Sequence, residues 1–150
     1  MDLSGDELAG IVDLFGALSR PELRTALAEL AFRWHEDVDD VVLDALVDDA
    51  VDRFYLLPVD DRIVAGPAAF PTLPDGAEDL PHILDVPHRS PDTDELGRVA
   101  GDRFADEVAD AIEAGDTERA RELLDLSYDV EAWAPVELAD ERSRLDGLTS

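Results

Sequence analysis

Residues 3–8 are LSGDEL and residues 18–23 are LSRPEL, and these two similar stretches decide the predicted fold of the first half of the chain. In each stretch a serine precedes a glutamate by three residues, which is the spacing of a capping box at a helix N-terminus. The two leucines of each stretch have the spacing of a hydrophobic staple. The repeat therefore predicts two capped helices, one over residues 5–17 and a second that begins after Ser19.

A third helix and a β-hairpin are predicted next. Apolar residues at three-and-four spacing predict a helix over residues 38–53. Residues 54–59 and 62–65 are apolar runs on either side of two aspartates, which predicts a hairpin. Pro58 cannot donate to a ladder, so its strand should lie at a sheet edge. Three helices followed by a hairpin is the order of a winged helix-turn-helix. The predicted fold class is therefore mainly α with a small β-hairpin.

The remainder of the chain is predicted in two parts. Residues 67–91 hold six of the nine prolines together with many apolar residues, so we expect an ordered connector strapped across a core. Residues 92–150 predict a helical hairpin, then an aromatic turn marked by Tyr128 and Trp133, and a last helix. The domain organisation is thus a winged-helix-like domain at 3–66, the connector, and a helical C-terminal region packed on the first domain.

The charge is strongly negative. The chain has 38 acids and 12 bases, a formal net charge of −26, and every base is an arginine. Acids are spread over both halves, which is not typical of an acidic tail. At ~1 M salt the Debye length is ~3 Å, so self-repulsion is screened. We therefore predict adaptation to molar salt; a nucleic-acid mimic or a binder of basic partners is the alternative.

The sequence predicts neither a membrane protein nor a secreted one. Cysteine is absent, which excludes disulfides, thiolate catalysis and Cys-ligated zinc. No apolar stretch approaches ~20 residues, so no membrane span is expected. The N-terminus lacks the basic and apolar regions of a secretory signal. These observations predict a cytoplasmic location.

Residues with catalytic or metal-binding chemistry are few. His82 and His88 lie among acids, but a spacing of six residues in a loop matches no zinc motif. His35 lies at the predicted end of the second helix, where a cation is favourable. No P-loop, dinucleotide fingerprint or nucleophile elbow occurs. The sequence therefore predicts no catalytic, cofactor-binding or metal-binding residue, and a protein that is not an enzyme.

Two functions remain open from the sequence. The leading one is a protein-interaction or regulatory module with an unknown protein partner, for which Phe32 and Trp133 are the candidate contact residues. The alternative is a winged-helix transcription regulator, whose candidate DNA contacts are Arg20, Arg24, Arg53 and Arg62. Such a regulator reads the major groove with its third helix and holds phosphates with basic side chains. An aspartate ridge on that helix opposes this, because its members repel phosphate: Asp40, Asp44, Asp48 and Asp52.

Three stretches carry a resemblance to a known family. They are LSGDELAGIVDLFGALSRPELRTALAELAFR at residues 3–33, GPAAFPTLPDGAEDLPHILD at residues 66–85, and LLDLSYDVEAWAPVELADERSRLD at residues 123–146. In these the chain resembles a family of short, acidic, uncharacterised proteins from halophilic archaea. The resemblance implies adaptation to salt and a chain inherited as one unit. It implies no activity, so no functional residue is carried over from it.

Overall fold

Both predicted capping boxes are present in the computed structural model, which describes residues 1–149. The Ser4 hydroxyl accepts from the Glu7 N–H at 3.1 Å, and the Glu7 carboxylate accepts from the Ser4 N–H at 3.0 Å. Ser19 and Glu22 form the same pair of bonds, at 3.2 and 2.8 Å. Each box satisfies backbone donors that the first turn leaves without a helical partner. The two helix starts are therefore fixed locally.

The elements confirm a mainly helical fold with a small antiparallel sheet. The chain divides into two compact units, Met1–Pro91 and Asp92–Ser150. Ser150, the last residue of the predicted C-terminal region, lies outside the described residues. In chain order the elements are α1 (Gly5–Phe15), β1 (Leu18–Ser19), α2 (Arg20–Arg33), α3 (Asp40–Asp52), β2 (Leu56–Val59), β3 (Arg62–Ala65), a 3₁₀ turn (Ala77–Asp79), α4 (Leu80–Ile83), α5 (Thr93–Ala114), α6 (Thr117–Trp133) and α7 (Ala139–Thr149).

The sheet has the order β1-β3-β2 and is antiparallel throughout. The predicted hairpin is confirmed: β2 and β3 pair around a turn at Asp60, whose φ is 57°. A positive φ at the first central residue is a feature of the turns that match strand twist. Pro58 lies in β2, one of the two edge strands, as its missing N–H requires. The two-residue strand β1 was not predicted; its Leu18 lies opposite Ile63.

The core of the first unit is formed by the inward faces of α1, α2 and α3 against the sheet. Its largest side chains are fully covered, and those of α1 and α2 recur at three-and-four spacing along one side of each helix. A buried leucine or phenylalanine contributes roughly 1.5–3 kcal/mol relative to an exposed one. Fully buried large members are Leu8, Ile11, Phe15, Leu18, Leu23, Leu27, Leu30, Leu43, Phe54, Leu56 and Leu57.

Residues 67–91 run along α1 and are anchored to it by hydrogen bonds. The Phe70 N–H donates to the Asp6 carboxylate at 2.9 Å, and the Thr72 N–H donates to the Asp6 carbonyl at 3.1 Å. At Gly10 the Thr72 backbone comes so close that any side chain would collide with its carbonyl oxygen. Gly10 is therefore required by the approach of the strap, our name for residues 67–91.

The far end of the strap is fixed by Arg89. Its N–H donates to the Phe15 carbonyl at 2.8 Å. Its guanidinium donates to the Ala17 carbonyl at 3.1 Å and to both Glu22 carboxylate oxygens at 2.6 and 3.1 Å. This hydrogen bonding from Arg89 lowers the pKa of Glu22 to about 2. Glu22 thus takes part in the capping box of α2 and also anchors the strap.

The second unit consists of α5, α6 and α7. Asp92 caps the N-terminus of α5, Gly115 caps its C-terminus, and Asp116 caps the N-terminus of α6. The predicted aromatic turn is wrong: α6 continues to Trp133, so Tyr128 and Trp133 are both helical. No helix breaker precedes Pro135, and that proline favours extended backbone only at the residue before it. None of the helices within residues 1–149 is long and apolar enough to cross a membrane.

An arginine of α7 binds α6 within this unit. Arg142 donates to Glu131 at 2.8 and 3.2 Å and to the Ser127 hydroxyl at 3.3 Å. Its guanidinium carbon lies 4.7 Å from the centre of the Tyr128 ring, within cation–π range. The Arg142 hydrogen bond lowers the pKa of Glu131. Ser127 is fully buried, and this network satisfies its hydroxyl.

Candidate interaction surface

Two candidate DNA-contacting arginines bind the aspartate ridge of the same chain. Arg20 at the start of α2 forms an ion pair with Asp48. Arg24, one turn on, donates to the Asp44 carboxylate at 2.9 and 3.2 Å. The hydrogen bond to Asp44 raises the pKa of Arg24. These pairs join α2 to α3, so Asp44 and Asp48 face α2 and the two arginines neutralise part of the charge of the ridge.

The other two candidate arginines lie elsewhere. Arg53 follows α3 and pairs with Asp49 at 3.4 Å, and it lines a cleft that also includes Tyr55. Nine residues separate Asp44 from Arg53, which is about 180° around a helix of 3.6 residues per turn. Arg62 is exposed on β3, opposite Ser19 in the sheet register. The four arginines therefore do not form one free basic patch.

The candidate contact residue Phe32 lies on the solvent side of α2. Its side chain is 76% exposed, although the residue is large and apolar. Ala28, one turn earlier on the same side, is also exposed. On α3, Val41 is 76% exposed and Ala45 is exposed one turn later. We call these four residues, Ala28, Phe32, Val41 and Ala45, the outer face.

The position of the outer face follows from the ion pairs and the helical repeat. At 100° per residue, Phe32 lies about 80° from Arg24 around α2, away from the buried leucines. By the same geometry Val41 lies about 60° from Asp44 around α3. Since Arg24 and Asp44 are in contact, both apolar side chains flank the seam between the helices on its solvent side. The four residues of the outer face thus lie on the solvent side of the two paired helices.

Carboxylates without cationic partners adjoin the outer face. Glu36 and Asp37 lie in the connection between α2 and α3, and Asp40 begins α3; all three are exposed. Within residues 1–149 none of the three forms an ion pair. Arg24, on which the charge of Asp40 also acts, is hydrogen-bonded to Asp44 instead. The surface therefore combines apolar side chains with carboxylates that form no ion pair in the described part of the chain.

Sequence reasoning identifies Phe32 but misses Val41 and the acids beside it. Phe32 is recognisable because it lies off the apolar stripe of its helix. The same signal is available for Val41, which precedes the stripe of α3 and faces away from the buried Leu43 and Val47. The sequence does not show which carboxylates pair with arginines, because that depends on how α2 packs on α3. The three unpaired acids therefore could not be identified from the sequence.

The second candidate contact residue, Trp133, differs from Phe32. It ends α6 and is half-buried, so a large part of its ring is covered. The exposed aromatic residue of this helix is Tyr128, which lies beneath Arg142. The second unit therefore presents less exposed apolar surface at its predicted contact than α2 does at Phe32.

The histidines do not come together at a site. His82, in α4, and His88 lie at different positions of the strap, and His35 follows α2; all three are exposed. Among residues 1–149 no group of three or more histidine, aspartate or glutamate side chains is arranged to hold a metal ion. His35 instead has a φ of 58°, and its N–H and that of Glu36 donate to carbonyls of the last turn of α2 at 3.1 and 2.9 Å.

Comparison with known proteins gives a single result. No curated protein and no solved structure matches the chain. The model of a family of unknown function, DUF7109, matches residues 6–150, which is nearly the whole chain. The match includes both units described above. The chain therefore belongs to the DUF7109 family.

Proposed function

We propose that this protein is a non-enzymatic interaction or regulatory module that docks a protein partner on the outer face. The single observation that carries the proposal is the exposure of Phe32 and Val41, each at 76%, beside carboxylates that form no ion pair within residues 1–149. An exposed apolar patch that is rimmed by polar residues is a mark of a protein–protein interaction site. Phenylalanine is among the aromatic residues that are enriched at protein interfaces.

A winged-helix framework is part of the same proposal. The order α1, β1, α2, α3, β2, β3, with β1 beside β3, is the order expected for that framework. Its helices α2 and α3 are joined by two ion pairs, Arg20 to Asp48 and Arg24 to Asp44. A rigid support limits the entropy that is lost when a partner binds.

DNA-binding regulation is the second candidate, and Arg62 is the observation that favours it. This arginine is exposed on the hairpin, where a winged helix contacts phosphates. Against it, the exposed side of α3 carries valine, alanine and aspartate, which supply few contacts to phosphate or base edges. Arg20 and Arg24 are already bound to aspartates. Docking of a protein is therefore the better-supported function.

We also propose that the protein works in the cytoplasm at molar salt. A net charge of −26 on 150 residues produces strong self-repulsion in dilute buffer. At ~1 M salt this repulsion is screened beyond ~3 Å. The absence of lysine and the distribution of acids over both units support adaptation to molar salt.

Two assays at about 2 M KCl separate the candidates. In the first, the immobilised chain captures proteins from an extract of the cells that produce it. We expect a saturable partner that Phe32→Ser loses and Phe70→Ser retains, because Phe70 is 77% exposed but lies on the strap. In the second, a mobility-shift assay with genomic fragments should show no shift. A saturable DNA shift that Arg62→Gln abolishes, together with no Phe32-dependent partner, would reverse the order of the two functions.

A further inference from the structure

The outer face has a chemistry that restricts its partner. Its apolar part spans two helices, with Phe32 on α2 and Val41 on α3. The adjoining connection and the first turn of α3 contribute Glu36, Asp37 and Asp40, all exposed and without ion pairs in the described part of the chain. A bound surface therefore has to cover apolar side chains and approach three carboxylates at the same time.

Three kinds of partner could cover the outer face, and charge complementarity distinguishes among them. Nucleic acid would bring phosphates against the carboxylates, and like charges at contact are strongly unfavourable. A second copy bound through the same face would bring a second set of the same three acids. A partner that presents cations beside an apolar side chain satisfies both parts of the surface. Arginine is the best suited cation, because its guanidinium binds carboxylates in a fork and is weakly hydrated.

We propose that the outer face binds a protein segment in which arginines flank a large apolar side chain. The apolar side chain packs between Phe32 and Val41, and the arginines bind Glu36, Asp37 and Asp40. This inference rests on the proposed function, to which it adds the chemical class of the partner. At molar salt long-range attraction is screened, so binding depends on these contacts at short range.

Designed peptides test the proposal. The probe is a fluorescent twelve-residue peptide of alternating leucine and arginine pairs, and its matched controls replace either every leucine with serine or every arginine with glutamate. Fluorescence anisotropy is measured at about 2 M KCl, where non-specific attraction of a cationic peptide to an acidic chain is screened. We expect the leucine–arginine peptide to bind and each control peptide to bind at least tenfold more weakly.

Variants then locate the binding site. Phe32→Ser should weaken peptide binding at least tenfold, whereas Phe70→Ser, which removes an equally exposed ring from the strap, should change it less than twofold. Glu36→Gln with Asp37→Asn and Asp40→Asn should also weaken it at least tenfold. The matched control neutralises three exposed acids of α5, Asp106, Asp110 and Glu113, and should leave binding within twofold. Circular dichroism checks that every variant is folded.

Several results would overturn the inference: no binding by the unaltered chain, equal losses from the two phenylalanine variants, or equal losses from the two acid sets. A dimer seen in sedimentation that Phe32→Ser disrupts would assign the face to a second copy. If the peptides do not bind but the capture assay finds a Phe32-dependent partner, only the proposed chemical class of the partner is rejected. Failure of both assays rejects the proposed function as well.

Discussion

At the scale of single residues, two helix ends place non-glycine residues in left-handed backbone. His35 after α2 has a φ of 58°, and Phe54 after α3 has a φ of 65°. In both, two N–H groups reach back to the last turn, as in the motif that usually has glycine at this position. The side chains differ: His35 is exposed, whereas Phe54 is fully buried. Substitution by glycine is therefore expected to change stability in opposite directions at these two positions, although their backbone conformation is the same.

Substituting glycine at these two positions should change stability in opposite directions. His35→Gly should raise the free energy of unfolding by about 0.5–1 kcal/mol, because relief of left-handed strain exceeds the entropy cost of glycine. Phe54→Gly should lower it by about 3–5 kcal/mol, because the loss of a buried ring outweighs the relief of strain. Urea unfolding followed by circular dichroism measures both. A destabilised His35→Gly variant would show that the imidazole makes a stabilising contact that outweighs the strain.

At the scale of elements, the strap is fixed at one end by a residue that also starts a helix. Glu22 accepts from its capping partner Ser19 and from Arg89, so a change in one contact affects the other. The Arg89 and Glu22 side chains are only 20% and 25% exposed, which limits solvent screening of their ion pair. This pair therefore contributes more to stability than the exposed pairs of α3.

Arg89→Gln should lower the free energy of unfolding by about 1–3 kcal/mol, because a charged hydrogen-bonding partner is lost. Arg53→Gln is the matched control. It breaks a pair in which both side chains are 64% exposed, and it should cost less than about 1 kcal/mol. Urea midpoints of the two variants provide the comparison. Equal losses would mean that the strap is held by its backbone bonds alone.

The same pair predicts a dependence on pH. The pKa of Glu22 is about 2 in the folded chain and about 4.5 without its partners, so folding favours the carboxylate. Its stabilising contribution is complete above pH 4.5 and is lost as the pH falls towards 2. The difference in unfolding free energy between the unaltered chain and Arg89→Gln should therefore shrink over that interval. A difference that stays constant down to pH 2 would contradict the assignment.

Elements were predictable where the signal is local. Ser4 and Ser19 identify their helix starts because a capping box lies within four residues. The strand β1 was not predictable, since two residues carry no periodicity and pair only when β3 lies beside them. The ion pairs Arg20 to Asp48 and Arg24 to Asp44 join residues 28 and 20 positions apart. They depend on how α2 packs on α3, which the sequence pattern does not specify.

At the scale of the whole molecule, the excess of acid sets the conditions for stability. Of the 38 acidic residues, those on α5 include Asp102, Asp106 and Asp110, which are exposed at successive i, i+4 positions. Like charges at this spacing each destabilise a helix by a few tenths of a kcal/mol at low salt. Screening reduces that cost, so the folded state should gain from added salt.

The midpoint of thermal unfolding should therefore rise as KCl increases from about 0.1 M to 2 M, with the steepest change at low salt, where the Debye length falls from ~10 Å. A variant with Asp102, Asp106 and Asp110 replaced by asparagine should show a smaller rise. Salt strengthens apolar burial equally in both chains, so the difference between them isolates charge screening. Identical midpoints in dilute and concentrated KCl would refute adaptation to salt.

Cross-linking tests most directly whether a protein covers the outer face. A photoreactive side chain is placed at position 32, and at position 70 as the control, because both native phenylalanines are about equally exposed. Cells that produce each variant are irradiated, and the products are separated by mass. We predict a discrete protein adduct from position 32 that position 70 does not give. Adducts that are equal from both positions, or that contain DNA, would contradict the docking of a protein on this face.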